Sequence, residues 1–240
     1  MALTVFDILL DVWDRLMLGP RPTYFDTTDD TQRQLLALLN EEGQQLTLDF
    51  PWQRLVQSVV TEAADDDSAI SDQGEVEDLC PGLSRFVDDC LYLDGRAIPL
   101  IGPLSISDRT FMESGGMTML YGFFIQNDHL YITSPTTYSQ TLRFAYISKH
   151  WAKNAKGEGL ERVTEGDDVP VLDARLLTLG VVMRWLSRNG LPYQQEFLNY
   201  DHARRQLQAA DTPKTVLCAG GRSVYNPRRS IVGGMARPWA

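Results

Sequence analysis

The spacing of hydrophobic residues changes twice along the chain, from helical to strand-like and back to helical. In the first segment Thr4 and Asp7 have the spacing of a capping box, and Leu3 and Ile8 can form a hydrophobic staple. Apolar residues then recur at helical intervals, at Phe6, Leu9, Leu10, Trp13 and Leu16. The pattern predicts a helix that is ended by a turn rich in glycine and proline, at Gly19, Pro20 and Pro22.

A second helix is predicted over residues 28–47. Acidic residues crowd its start, and its leucines share one face: Leu35, Leu38, Leu39 and Leu46. Two amphipathic helices joined by a short proline-rich turn predict a helical hairpin over residues 1–50.

Residues 51–152 have the composition of a β-rich module. Strands are predicted over residues 54–63, 85–93, 118–126, 129–134 and 140–151. Asn127 and Asp128 suit a tight hairpin turn, and Leu142, Phe144 and Tyr146 alternate as in a half-buried strand. Residues 105–114 are predicted to form one short helix, whereas the acidic residues 65–78 are predicted to form a loop.

The helical period returns over residues 153–210. A helix is predicted to open at Pro170 and stop at Gly190, with a stripe at Leu172, Leu176, Leu179, Met183 and Leu186. Pro192 is expected to start a second helix, which carries Tyr193, Phe197, Tyr200 and Leu207. The predicted fold class is therefore α+β: an antiparallel helical bundle of two hairpins, an inserted antiparallel β module and an extended C-terminal arm, residues 211–240.

Charge divides the chain unevenly. The net charge is −10, but residues 211–240 hold five basic residues and one acidic residue, so that the first 210 residues carry −14. An acidic body should repel nucleic acid, while the basic arm could bind either an acidic protein surface or phosphate. No apolar run approaches the length of a membrane span.

Few residues suggest catalysis. The three histidines, His129, His150 and His202, fall on separate elements, and no metalloprotease, nucleophile-elbow or phosphate-loop motif is present. The acidic residues 65–78 lack the ligand spacing of a calcium loop. Cys80, Cys90 and Cys218 form no close pair, which favours a reduced, cytoplasmic setting. The tryptophans are expected to pack in the core. No enzyme activity, metal or cofactor is predicted.

The order of elements resembles the head-to-tail adaptor (connector) proteins of short-tailed bacteriophages. Four stretches carry the resemblance: "TQRQLLALLNEEGQQL" with the following "FPWQRL", "RAIPLIGPLSISDRTF", "LRFAYISKHWA", and "LLTLGVVMRWLSRNGLPYQQEFLNYDHARRQL". Each stretch alone is unspecific, whereas their order and spacing are more specific.

The resemblance implies a structural virion protein at the head–tail junction, made in the host cytoplasm. It implies a ring of copies, dodecameric in this family, below the portal protein. Such a ring extends the channel through which viral DNA passes without specific binding, and it provides the platform for the tail nozzle and tail fibre proteins.

The resemblance also implies that the C-terminal arm reaches onto the portal. Glycines at 220, 221, 233 and 234 would give it reach. The expected contacts are apolar anchors and arginines that pair with portal acids, namely Arg222, Tyr225, Arg228, Arg229, Ile231 and Trp239. Two alternatives remain open: a nucleic-acid-binding module that uses the basic tail, and a hydrolase with a dispersed site.

Overall fold

The computed structural model describes residues 3–64, 70–87, 90–94, 99–113, 121–133 and 140–212. Within them the chain is a mixed α+β protein with antiparallel sheets. The six α-helices of the described residues are α1 (Val5–Leu16), α2 (Asp30–Asp49), α3 (Val76–Leu79), α4 (Ile106–Glu113), α5 (Ala174–Arg188) and α6 (Gln194–Asp211). None of them is long and apolar enough to cross a membrane.

The strands form three sheets. They are β1 (Val56–Glu62), β2 (Ser71–Glu75), β3 (Leu83–Phe86), β4 (Tyr92–Leu93), β5 (Phe123–Gln126), β6 (His129–Ile132), β7 (Thr141–Ser148), β8 (Ala152–Lys153), β9 (Gly159–Leu160) and β10 (Val169–Pro170). In the largest sheet β7 pairs with β1 on one side and with β3 and β4 on the other. The other sheets have the orders β2-β6-β5 and β10-β8-β9.

Several elements that local sequence patterns predict are confirmed by the structure. The side chain of Thr4 accepts the Asp7 N–H at 3.2 Å, and Asp7 Oδ2 accepts the Thr4 N–H at 2.9 Å, so the predicted capping box is confirmed. Asn127 and Asp128 both have positive φ, 51° and 63°, as a tight hairpin turn between β5 and β6 requires. Leu142, Phe144 and Tyr146 are buried on β7 as predicted, and α2, α4 and β1 lie close to their predicted ranges.

Other predictions about the N-terminal helix were wrong. The buried face of α1 is Val5, Ile8, Leu9, Val12 and Trp13, rotated from the predicted stripe. The start of this helix is held by a distant segment, since the N–H groups of Val5 and Phe6 donate to the carbonyls of Asp168 and Gly166. The helix also ends earlier, at Leu16, and it packs mainly on α5 rather than on α2.

The β-rich region differs in two places. Part of the acidic segment predicted as a loop forms β2 and α3, because Ser71 and Asp72 pair with Ile132 and Tyr131 of β6. The single strand predicted over residues 85–93 is instead two strands, β3 and β4, that both pair with β7.

In the C-terminal half, both helices begin later than predicted. Asp173, rather than Pro170, starts α5, because its carboxylate accepts the Leu176 N–H at 3.0 Å. Val169 and Pro170 pair with β8. The second helix, α6, begins at Gln194.

Helices from both ends of the chain share one core with the end of β7. Side chains of α1, α2, α5 and α6 pack with Trp52, Leu55, Ile147 and Trp151. A second core lies between the sheet that contains β7 and the β2-β6-β5 sheet, and it contains Leu142, Phe144 and Tyr146. Because Ile147 and Tyr146 are neighbours on β7 and point to opposite faces, this strand contributes to both cores.

Trp151 joins the end of β7 to α2. Its indole is fully buried, donates its N–H to the carbonyl of Glu161 at 2.8 Å and lies directly on the Cα of Gly43. A side chain at position 43 would overlap the indole ring. Nearby, Asn40 also ties α2 to the C-terminal half, since its side chain bonds both the N–H and the carbonyl of Val163, at 2.8 and 3.0 Å.

A buried carboxylate links three helices. Glu42 of α2 is fully buried and accepts hydrogen bonds from Arg184 Nε of α5 and the Tyr200 hydroxyl of α6, both at 2.6 Å. Gly180 leaves the space that the carboxylate occupies. Burial, and then the adjacent Glu42 charge, raises the pKa of Tyr200 above its ordinary value, which keeps the hydroxyl a donor.

Replacing Gly43 with alanine should destabilise the protein. Helix propensity alone would raise the free energy of unfolding by about 1 kcal/mol, whereas overpacking against Trp151 costs about 1–3 kcal/mol. We expect a net loss in urea unfolding, with the neighbouring exposed Gln44→Ala near neutral as the control. A stabilised Gly43→Ala variant would contradict the packing of Trp151 on α2.

Substitutions of the two partners of Glu42 should lower the free energy of unfolding by different amounts. Arg184→Met leaves the Glu42 charge buried without its cation and should lower the free energy of unfolding by about 3 kcal/mol. Tyr200→Phe removes one hydrogen bond to that charge and should cost about 1.5 kcal/mol. The exposed Arg205→Met should be nearly neutral in the same measurement, and equal losses at all three positions would disprove the cluster.

Candidate functional site: the root of the C-terminal segment

All six residues predicted to bind a partner lie outside the described residues: Arg222, Tyr225, Arg228, Arg229, Ile231 and Trp239. The described part of the chain ends at Thr212, directly after α6. The candidate site in the structure is therefore the place where the C-terminal segment leaves the fold.

The end of α6 is fixed to the start of the β-rich region. The Asp211 carboxylate accepts the backbone N–H of Gln53 at 2.7 Å, a contact between residues far apart in the chain. The N–H and hydroxyl of Thr212 both donate to the carbonyl of Gln208, at 2.9 and 2.6 Å. Thr212 itself is extended, with φ −64° and ψ 127°, as the residue before a proline prefers. The chain thus leaves α6 from a defined point in a defined conformation.

An apolar groove opens at this point, and we call it the root groove. It has a volume of about 680 Å³ and runs from the end of α2 across β1, β7 and the end of β3. Its lining comprises Asp49, Phe50, Pro51, Gln53, Val56, Arg85, Phe86, Val87, Cys90, Ala145, Ile147 and Thr212. Thr212, the last described residue, belongs to this lining.

The charged residues of the root groove are engaged at its edges. One oxygen of Asp49 accepts from Gln45 at 2.6 Å, and the other faces Arg204 of α6 at 3.4 Å. Arg85 reaches toward the carbonyl of Leu48 at 3.5 Å. The floor is supplied by aliphatic side chains, chiefly Val56, Val87, Ala145 and Ile147. The groove is therefore suited to an apolar peptide rather than to an ion.

A smaller cavity also reaches Asp211. Its volume is about 160 Å³, and its walls include Trp52, Leu172, Leu176 and Leu207. The cavity has room for one side chain rather than for a stretch of peptide. Thr212 is not among the residues that line this cavity.

The opposite end of α6 carries an exposed apolar tip. We define the tip as Leu191, Tyr193, Phe197 and Leu198, which are between 39% and 59% exposed. Among the predicted apolar residues of this helix, only Tyr200 is fully within the core, so the expected stripe is buried only in part. The rise of an α-helix separates Phe197 from Thr212 by about 22 Å, so the tip and the root groove are distinct surfaces.

The histidines do not assemble a site in the described residues. His129 Nδ1 lies 3.0 Å from an oxygen of Asp72, His150 lies between Gly82 and Gly159, and His202 contacts Gln206 on α6. No group of three or more metal-ligating side chains occurs in the described ranges.

The environment of Cys80 disfavours the thiolate, which is the nucleophilic form of cysteine. Cys80 is fully buried in the second core, which contains Leu142, Phe144 and Tyr146. Burial, with a smaller effect of Glu77, raises the pKa of its thiol to about 12. The thiol therefore stays protonated at neutral pH.

No protein-family model matches the chain, and no curated protein is significantly similar to it.

The buried thiol should make stability fall in alkali. Because the folded pKa of Cys80 lies above its ordinary value of 9.0, the unfolded state loses its proton first, and stabilisation is lost as pH rises above about 9. Between about pH 9 and 11, the slope of unfolding free energy against pH should be shallower in Cys80→Ala by about 1.4 kcal/mol per pH unit. The cavity left by the substitution changes the level and not the slope. Equal slopes would contradict the burial of this thiol.

Proposed function

We propose that this protein is a head-to-tail adaptor of a short-tailed bacteriophage or related prophage. Copies form a ring, dodecameric by resemblance to the family, below the portal. The ring extends the DNA channel and carries the tail nozzle and fibres. In this proposal the helices form an antiparallel bundle of two hairpins that builds the ring wall, and the C-terminal arm binds the portal.

The observation that carries the proposal is the fixed root of a long basic segment. Residues 213–240 hold five basic residues and no acidic ones, and they follow an α6 whose end is tied to Gln53. A segment that becomes ordered on binding loses conformational entropy, which lowers the affinity of each arm. A ring of identical arms on a matching ring offsets this loss through effective concentration.

Three further features are consistent with an assembling structural protein. Helices from both ends of the chain share one core, which gives the arm a rigid base. The tip at the start of α6 exposes an apolar surface that suits contacts with other subunits. The body carries a net charge of −14, which favours a channel through which DNA slides without sticking.

The arm should be required for portal binding. Removing residues 213–240, or changing Arg222, Arg228 and Arg229 together to glutamate, should weaken binding to the portal protein of the same phage by at least about 100-fold. The body should remain folded by circular dichroism, because the buried Glu42 cluster and both cores lie before Thr212. Binding is measured by sedimentation, and ring formation on the portal is observed by electron microscopy.

Arg237→Glu is the matched control, since it changes an arginine of the same arm that is not among the expected portal contacts. It should retain most of the binding. A truncated protein that still joins the portal would overturn the proposal. The nucleic-acid alternative makes a different prediction: the full chain, but not the truncated one, would bind duplex DNA with an affinity that falls steeply with salt.

A further inference from the structure

We propose that the first residues of the C-terminal segment, 213–218, seat in the root groove of their own subunit. Only the portion beyond Gly220 and Gly221 would then serve as the free arm. This inference rests on the proposed function for the role of that arm, but the docking itself needs no portal.

The starting point of the segment favours this occupant. Thr212 lines the root groove, and its backbone is already extended where it leaves α6. Pro213 prevents continuation of the helix. A tethered peptide that begins within its own binding site reaches it at a high effective concentration, well above that of a peptide from another molecule.

The chemistry of the segment matches the floor of the groove. Residues 213–218 read "PKTVLC", with Val216 and Leu217 as adjacent aliphatic side chains. The floor offers Val56, Val87, Ala145 and Ile147, and the carboxylate of Asp49 at the edge is already engaged by Gln45 and Arg204. Burial of apolar side chains against apolar walls is therefore the dominant attraction.

The length of the segment also fits. Six extended residues after Thr212 span about 20 Å, which is the width of about four paired strands. The two glycines that follow have no side chain to bury and turn freely, so they are a natural point for the chain to leave the surface. All six residues expected to bind the portal come after these glycines.

A pair of native cysteines makes the proposal measurable. Cys90 lines the root groove and is partly exposed, while Cys218 lies at the end of the docking segment. Cys80 is fully buried and serves as an internal reference that should not react. Seating of the segment should bring the thiols of Cys218 and Cys90 within reach of a short crosslinker.

The experiment treats the full-length protein, without portal, with a short bismaleimide at low protein concentration. We expect an intramolecular Cys90–Cys218 crosslink, identified by mass spectrometry of tryptic peptides. The matched control places the cysteine beyond the glycines, as Cys218→Ser with Ser223→Cys. Its tether from Thr212 is 11 residues long instead of 6. Without docking, this difference would lower the effective concentration only about 2.5-fold. We expect this control to crosslink more slowly by at least about tenfold.

A second variant tests the apolar contact directly. Val216→Asp combined with Leu217→Asp leaves every described residue unchanged and should also slow the Cys90–Cys218 crosslink by at least about tenfold. Equal rates for Cys218 and the Ser223→Cys control, or no effect of the double aspartate, would overturn the docking. A crosslink found only between two molecules would overturn it as well, in favour of exchange between subunits.

The adaptor role and the docking of residues 213–218 can be refuted independently of each other. A protein that crosslinks as expected but does not join the portal would refute the adaptor role and leave the docking intact. A protein whose arm joins the portal while Cys218 and the control react equally would refute the docking alone.

Discussion

The contact between Trp151 and Gly43 is the constraint on which the arrangement of the molecule depends. Trp151 follows β7, the strand shared by the two cores, and its indole lies on the backbone of α2. This close approach is possible only where α2 has no side chain. It fixes the β-rich region against the helices, and with them the position of the groove that forms between the end of α2 and the sheet.

The adjacent residue extends the same constraint to the C-terminus. Glu42 directly precedes Gly43 on α2, and its carboxylate accepts hydrogen bonds from both Arg184 and Tyr200. Through Tyr200 the position of α6 is set, and α6 in turn places Thr212 in the root groove. A short stretch of α2 thus determines where the basic C-terminal segment begins, which links the packing of the core to the proposed attachment to the portal.

The structural features that sequence reasoning predicts correctly are those formed by residues close together in the chain. The Thr4–Asp7 capping box and the Asn127–Asp128 turn are local, and both are confirmed. The strand β2 was missed because Ser71–Glu75 is polar and is held by pairing with β6, far along the chain. The root groove is assembled from separated elements, so no sequence period signals it. The six arm residues were chosen from composition and resemblance, and their role stays a prediction.

The hydrogen bond between Asp211 and Gln53 has a mechanical consequence. Tension that reaches Thr212 enters the body at this bond, because it is the last tertiary hydrogen bond along α6 in the part of the chain that the structure describes. Under load the helix would peel inward from that end, first at Asp211, next at the Arg204–Asp49 pair, and then at Tyr200 on the buried carboxylate. The links would bear the force one after another, with the surface pairs yielding before the interior.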